Sequence, residues 1–146
     1  MSALGLEEAQ VAQPSGIIPP PVKQKILLVE DVKVNVIVAT GLVASMGSEL
    51  DVAENGLIAL EKLQEKDYDI VLMDCQMPLM DGYQCTAAIR SGTSGVRNPQ
   101  IPIIAMTAHA MSGDREKCLE AGMDDYVTKP IEAELLAEKI QKWGRK

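Results

Sequence analysis

The sequence predicts an α/β fold: a five-stranded parallel sheet, doubly wound, with helices on both faces. Three observations predict it. Short, continuous apolar runs alternate with amphipathic stretches five times between Lys25 and Trp143. The runs lack the apolar–polar alternation of a half-exposed strand, so both of their faces are covered. Right-handed strand–helix–strand crossovers then place helices on either side of the sheet.

The elements follow in order. Ile26-Leu27-Leu28-Val29 is an apolar strand that stops at Glu30-Asp31. A helical pattern comes next, with Val34, Ile37, Val38, Gly41, Leu42 and Ser45 expected on one buried face. Leu50 to Ala53 is a short strand. Asn55-Gly56 opens a second helix, where Leu57, Leu60 and Leu63 recur, with Ala59 beside them. Asp69 to Met73 is a strand ending at Asp74, and Tyr83 to Arg90 suits a third helix. After a loop of Gly and Ser from Ser91 to Pro99, Ile101 to Met106 reads as the fourth strand despite Pro102. Ser112 to Ala121 is a short helix ended by Gly122, which fits the left-handed residue that closes many helices. Tyr126-Val127 centres the fifth strand, and Glu132 to Trp143 is a final helix with Leu136, Ile140 and Trp143 on one face.

Composition narrows the function. At 146 residues, one domain with a real core fits, and an ATP-using kinase domain beside another domain does not. Acids outnumber bases 21 to 14, and the net charge of −7 argues against a nucleic-acid-binding surface. A single histidine excludes a multi-His metal site. Cys75, Cys85 and Cys118 are far apart and odd in number, which suits reduced thiols in a cytoplasmic protein. The N-terminus lacks a secretory pattern, and the longest uncharged runs, Val34 to Ser48 and Asn98 to Gly113, fall short of a membrane span. The chain therefore reads as soluble, with no membrane contact of its own, although a larger parent could be membrane-anchored.

Residues 1–24 read as a Pro-rich linker or flexible N-terminal tail, and 25–146 as the folded domain. The Pro19-Pro20-Pro21 run favours an extended chain and removes three backbone donors. It is either a spacer to an upstream domain or a loose terminus.

In a doubly wound sheet the functional crevice lies beyond the carboxyl ends of the strands, where strand order reverses. The first strand ends in Glu30 and Asp31, the third in Asp74, the fourth in Thr107 and Ala108, and the fifth in Thr128, Lys129 and Pro130. Glu54, after the second strand, lies to one side. Three carboxylates, a hydroxyl and an ammonium thus converge on one rim. Packed carboxylates repel, and a divalent cation resolves the conflict. An all-oxygen site suits Mg²⁺ (or Mn²⁺), and beside a lysine and a threonine such an ion serves a phosphoryl group.

These residues identify a family. Val29-Glu30-Asp31, Leu72-Met73-Asp74-Cys75-Gln76-Met77-Pro78, Met80-Asp81-Gly82, Met106-Thr107-Ala108 and Tyr126-Val127-Thr128-Lys129-Pro130 resemble, in order, the motifs of a receiver domain of a two-component response regulator. The resemblance covers residues 25–146, and its texture is most similar to the C-terminal receiver of a hybrid sensor histidine kinase. It implies the flavodoxin-like (βα)5 receiver fold with strand order 2-1-3-4-5.

The resemblance also implies roles. Asp74 is the phosphoacceptor for a phosphohistidine. Asp31, Asp74 and the backbone carbonyl of Gln76 hold Mg²⁺, and Glu30 reaches the ion less directly. Lys129 pairs with a phosphoryl oxygen across a cis Lys129-Pro130 bond. Thr107 bonds the phosphoryl group, Ala108 leaves room for it, and Tyr126 is the aromatic that turns inward as Thr107 moves. Readout is a population shift on the surface of the fourth helix, fifth strand and fifth helix, through which a homodimer could also form. Gln76 and His109 stand where the family tunes phosphoryl lifetime, or are plain loop residues; His109 is not placed to be a phosphohistidine. Met77, Met80, Met106 and Met123 read as packing, and nothing around Cys75 suggests a reactive thiolate.

The implied partners are a histidine kinase dimerisation domain, a histidine phosphotransfer domain, or both. With only Trp143 to Lys146 closing the sequence, no output domain is expected on that side. The chain is then a free-standing regulator or the receiver of a hybrid kinase, and the proline-rich lead-in favours the second. The receiver itself is not a multiple-turnover enzyme. A Mg²⁺-dependent aspartyl phosphohydrolase is the alternative from another class, but its Asp-x-Asp pattern fails because Gln76 stands where the general acid would be.

Overall fold

The computed structural model of the chain describes residues 23–75, 80–108 and 112–144. Five strands and five helices alternate: β1 (Lys25–Val29), α1 (Lys33–Ser45), β2 (Glu49–Ala53), α2 (Gly56–Glu65), β3 (Ile70–Asp74), α3 (Gly82–Arg90), β4 (Ile103–Thr107), α4 (Ser112–Ala121), β5 (Asp125–Thr128) and α5 (Ala133–Trp143). All pairings are parallel, in the order β2-β1-β3-β4-β5. The predicted class and strand order therefore hold.

Side chains alternate across each strand, so the sheet carries two cores. Leu27, Val29, Val71, Met73, Ile103 and Ala105 face α2, α3 and α4, where Ala59, Leu63, Cys85, Ile89 and Cys118 meet them. Ile26, Leu28, Ile70, Leu72, Ile104, Met106 and Val127 face α1 and α5, where Ala39, Val43, Leu136 and Ile140 close the layer. Burial on both faces is why the strands read as continuous apolar runs.

Local chemistry sets the ends of the elements. The Asn55 side chain accepts from the Ile58 N–H at 2.9 Å and starts α2. Asp81 and Gln84 form a reciprocal capping box at α3, at 2.8 and 3.2 Å. Gly122, at φ 104°, closes α4: its N–H reaches Leu119 O and the Met123 N–H reaches Cys118 O.

Two expectations about faces fail. Val34, Ile37 and Val38 were expected to be buried, but they are 66%, 70% and 44% exposed, and α1 instead buries Ala39 and Val43. Apolar residues surround most of α1, so periodicity does not single out one face, and small Ala39 allows the close approach to the sheet. Leu57 is likewise half exposed, and α2 packs through Gly56, Ala59 and Leu63. The fourth strand starts at Ile103, not Ile101. Pro102 has no N–H to give, but its carbonyl accepts from Val71 N at 2.9 Å.

Arg90, legible only as the end of a helix, is a hub. It donates to the carbonyls of Pro99, Ile101 and Gly122 and to the Asp124 carboxylate, all at 2.7–2.9 Å, tying the end of α3 to the segment that enters β4 and to the turn that enters β5.

Candidate functional site

The rim at the carboxyl ends of β1, β3, β4 and β5 gathers the predicted residues. Backbone bonds carry the ladder past the strands and fix their positions. Glu30 N–H reaches Ala53 O at 3.0 Å, Cys75 N–H reaches Met106 O at 3.1 Å, and Lys129 N–H reaches Thr107 O at 2.8 Å. Thr107 and Thr128 are register partners, so Thr107 and Lys129 sit side by side.

The Lys129 ammonium lies 3.0 Å from Glu30 Oε1 and 3.2 Å from Asp74 Oδ1. The Glu30 side chain is fully buried, that of Asp74 is 5% exposed, and Asp31 is exposed. The other Glu30 oxygen accepts from Val32 N–H at 3.1 Å. Burial would push the Glu30 carboxyl up. Hydrogen bonding with Asp74, Val32 N–H and Lys129 outweighs it and holds Glu30 below its ordinary range. Burial would pull the Lys129 ammonium down, but Glu30 and Asp74 raise it instead, so it stays charged.

One oxygen from each of Glu30, Asp31 and Asp74 lies within 4.8 Å of the others. Three carboxylates against one ammonium leave roughly two negative charges in a partly buried pocket, which a divalent cation would balance. The all-oxygen donor set matches a hard ion of the Mg²⁺ kind. The residues present therefore fit the expected metal.

The remaining predicted residues divide. Thr107 is 5% exposed, Ala108 is exposed beside it, and Tyr126 is half-buried against the core. The Lys129–Pro130 bond is cis. Gln76, Met77 and His109 lie outside the described residues, as do 1–22. Met106 and Met123 are buried, as expected of packing residues. All three cysteines are free and buried, and burial pushes the Cys75 thiol up to about 12, far from a thiolate nucleophile.

Two features of the site escaped the sequence. Gly82 stands against the turn after β3: a Cβ there would overlap the Asp74 carbonyl oxygen and come within 2.9 Å of Cys75 Cα. The Met80-Asp81-Gly82 motif marked the residue but not this close approach. The exposed apolar start of α1 was the second, hidden by a helix that is apolar on several sides.

A lysine among carboxylates at the switch point of this sheet defines a receiver-type site, and comparison with known proteins agrees. Residues 26–141 match the response regulator receiver domain family. The sensor protein GacS of Pseudomonas syringae pv. syringae is 42% identical over 119 residues, which is 82% of this chain and 13% of that protein. Probable histidine kinase 1 of Oryza sativa subsp. indica is 37% identical over 165 residues, 94% of this chain and 17% of that one. The chain thus spans a small part of the relatives it matches. The receiver domain of sensor histidine kinase PA1611 from Pseudomonas aeruginosa PAO1, with a magnesium ion coordinated in its active-site cleft, is 42% identical with a TM-score of 0.74. That match covers 84% of this chain and 98% of that one. A co-crystal structure of the Saccharomyces cerevisiae histidine phosphotransfer protein Ypd1 and the receiver domain of Ssk1 matches at 29% identity and TM-score 0.77, covering 85% and 90%.

The chain belongs to the response regulator receiver domain family. It is a receiver of two-component signalling, homologous to those of hybrid histidine kinases.

Proposed function

We propose that Asp74 accepts a phosphoryl group from a phosphohistidine in a phosphorelay. The observation that carries this is the nearly buried Asp74 carboxylate, 3.2 Å from the Lys129 ammonium and within 4.8 Å of an Asp31 oxygen. An Asp74 oxygen forms the new P–O bond as the P–N bond to the donor imidazole breaks and its electron pair returns to nitrogen. Asp31 and Asp74 would hold Mg²⁺, with the Gln76 carbonyl as the family resemblance implies, and the ion would neutralise charge on the phosphoryl oxygens. Both Glu30 oxygens are engaged, by Lys129 and Val32, which supports a less direct role toward the metal.

Lys129 pairs with a phosphoryl oxygen, Thr107 donates to another, and exposed Ala108 leaves the approach open. Tyr126, half-buried and two residues before Thr128, the register partner of Thr107, then reports the change to the face formed by α4, β5 and α5. The donor is a histidine phosphotransfer or kinase dimerisation helix. Its docking surface is the exposed apolar stretch Val32, Val34, Ile37 and Val38 at the start of α1, which begins beside Asp31. The parent is a hybrid sensor histidine kinase in the cytoplasm or anchored to a membrane, with 1–24 as the tether and 25–146 as the receiver. Among the described residues, no helix is long and apolar enough to cross a membrane.

The test is intact mass after incubation with Mg²⁺ and acetyl phosphate. Wild type gains one phosphoryl group and Asp74→Asn gains none. An equal gain in Asp74→Asn removes the assignment, and sustained turnover of phosphate monoesters favours a hydrolase instead.

A further inference from the structure

The outward side of helix α1 carries a pattern of its own. Val34, Ile37, Val38, Gly41, Ala44 and Ser45 recur at helical spacings and form one stripe along the helix. All six are exposed, while Ala39 and Val43 hold the opposite side against the sheet. The large members lie in the first half of the stripe and the small ones in the second. A Cβ at Gly41 would meet nothing within 4 Å, so the centre of the stripe is open. The Ser45 hydroxyl donates to Leu42 O at 2.6 Å, so covering it strands no donor.

Reversed about Gly41, this stripe fits itself. Ile37 of one copy falls opposite Ser45 of the other, and Val38 opposite Ala44, large against small each time. The two Gly41 backbones at the crossing let the helices approach closely. Charge favours the same arrangement. The chain carries a net charge of −7, yet no charged residue lies between Val34 and Ser48. Lys33 is the one charged residue of α1. Antiparallel pairing sets the two Lys33 side chains about 24 Å apart, well beyond the screening length of ~8 Å. Each then reaches the carbonyl end of the other helix, whose last turn has no basic residue of its own.

We propose that α1 pairs antiparallel with α1 of a second copy of this chain, across a two-fold axis at Gly41. The helix has 13 residues, so the paired face is about 20 Å long and ~10 Å wide. That is well short of the ~800 Å² each partner buries in a standard interface, so the dimer is weak and exchanges readily. It is a different surface from the face of α4, β5 and α5. The stripe includes the proposed docking surface of the phosphodonor, so a paired copy is closed to the donor helix. That consequence rests on the proposed function, whereas the pairing itself does not.

Sedimentation equilibrium of the full chain over a wide concentration series tests the pairing, with a reversible monomer–dimer equilibrium expected. Gly41→Glu touches nothing in the monomer and sets two carboxylates at the axis, so it raises the dimer Kd about tenfold or more. Leu119→Glu, on α4, leaves the Kd unchanged. With diamide as oxidant, Gly41→Cys forms a disulfide between copies. Val34→Cys does not, because antiparallel pairing holds its two thiols about 21 Å apart along the helices. A chain that stays monomeric throughout overturns the proposal, and so does a dimer that survives Gly41→Glu. Cross-linking through Val34→Cys overturns the antiparallel arrangement. Acetyl phosphate with Mg²⁺ labels wild type and Gly41→Glu alike, which shows that the variant is folded. Absence of labelling in wild type would overturn the acceptor assignment and leave the pairing standing.

Discussion

Thr86 shows how a single residue departs from the usual balance. It is fully buried in α3, and its hydroxyl has no hydrogen-bond partner among the described residues. A buried, unpaired hydroxyl costs free energy that a methyl group of the same shape does not. Thr86→Val is therefore expected to leave stability unchanged or raise it by about 1 kcal/mol, against the usual direction of core substitutions. Urea unfolding checks this, and a loss of stability would mean the hydroxyl has a partner. Arg90 is the converse: every arm of its guanidinium is used, and sequence showed only a basic residue near a helix end. Both outcomes depend on neighbours remote in the chain, so neither is legible in local sequence.

At the scale of elements, two contacts have functional weight. The apolar start of α1 is exposed beside the acceptor rim, and Ile37 is its most exposed member. Ile37→Glu is expected to slow phosphoryl exchange with a histidine phosphotransfer domain about tenfold, equivalent to ~1.4 kcal/mol of docking. Phosphorylation by acetyl phosphate should be unaffected. Equal rates in both assays would move the docking surface elsewhere.

The second contact joins β5 to α5. Asp125 accepts from the Trp143 indole and the Lys139 ammonium, each at 2.9 Å. Burial would push its carboxyl up, but Trp143, Lys139 and the Tyr126 N–H hold it below the ordinary range. A depressed carboxyl contributes stability above its unfolded pKa and loses it as pH falls through the folded one. Asp125→Asn is expected to cost about 1–3 kcal/mol near neutral pH. The gap to wild type should narrow as pH falls below the ordinary carboxylate range and the wild-type carboxyl takes up its proton. Unfolding midpoints across a pH series decide it, and a constant gap would assign the effect to shape alone.

For the whole molecule, the acid cluster links metal binding to stability. Without a cation, Asp31→Asn relieves repulsion and is expected to leave stability equal or higher. With Mg²⁺ at a hundredfold excess over its Kd, wild type should gain about 2.7 kcal/mol, and Asp31→Asn much less. Thermal unfolding with and without Mg²⁺ measures both signs. Equal stabilisation of the two proteins would place the ion elsewhere.

Sequence by itself determined the βα order, the buried strands and the rim that collects Glu30, Asp31, Asp74, Thr107 and Lys129. The physical reason is that strands covered on both faces leave a strong local signal, and their ends in such a sheet all point to one crevice. Tertiary structure alone decided which face of α1 is buried. It also decided that Lys129 lies between Glu30 and Asp74, and that Cys75, Cys118 and Tyr83 pack into one core. Each of these brings together side chains distant in the chain, or chooses among apolar faces that periodicity cannot rank.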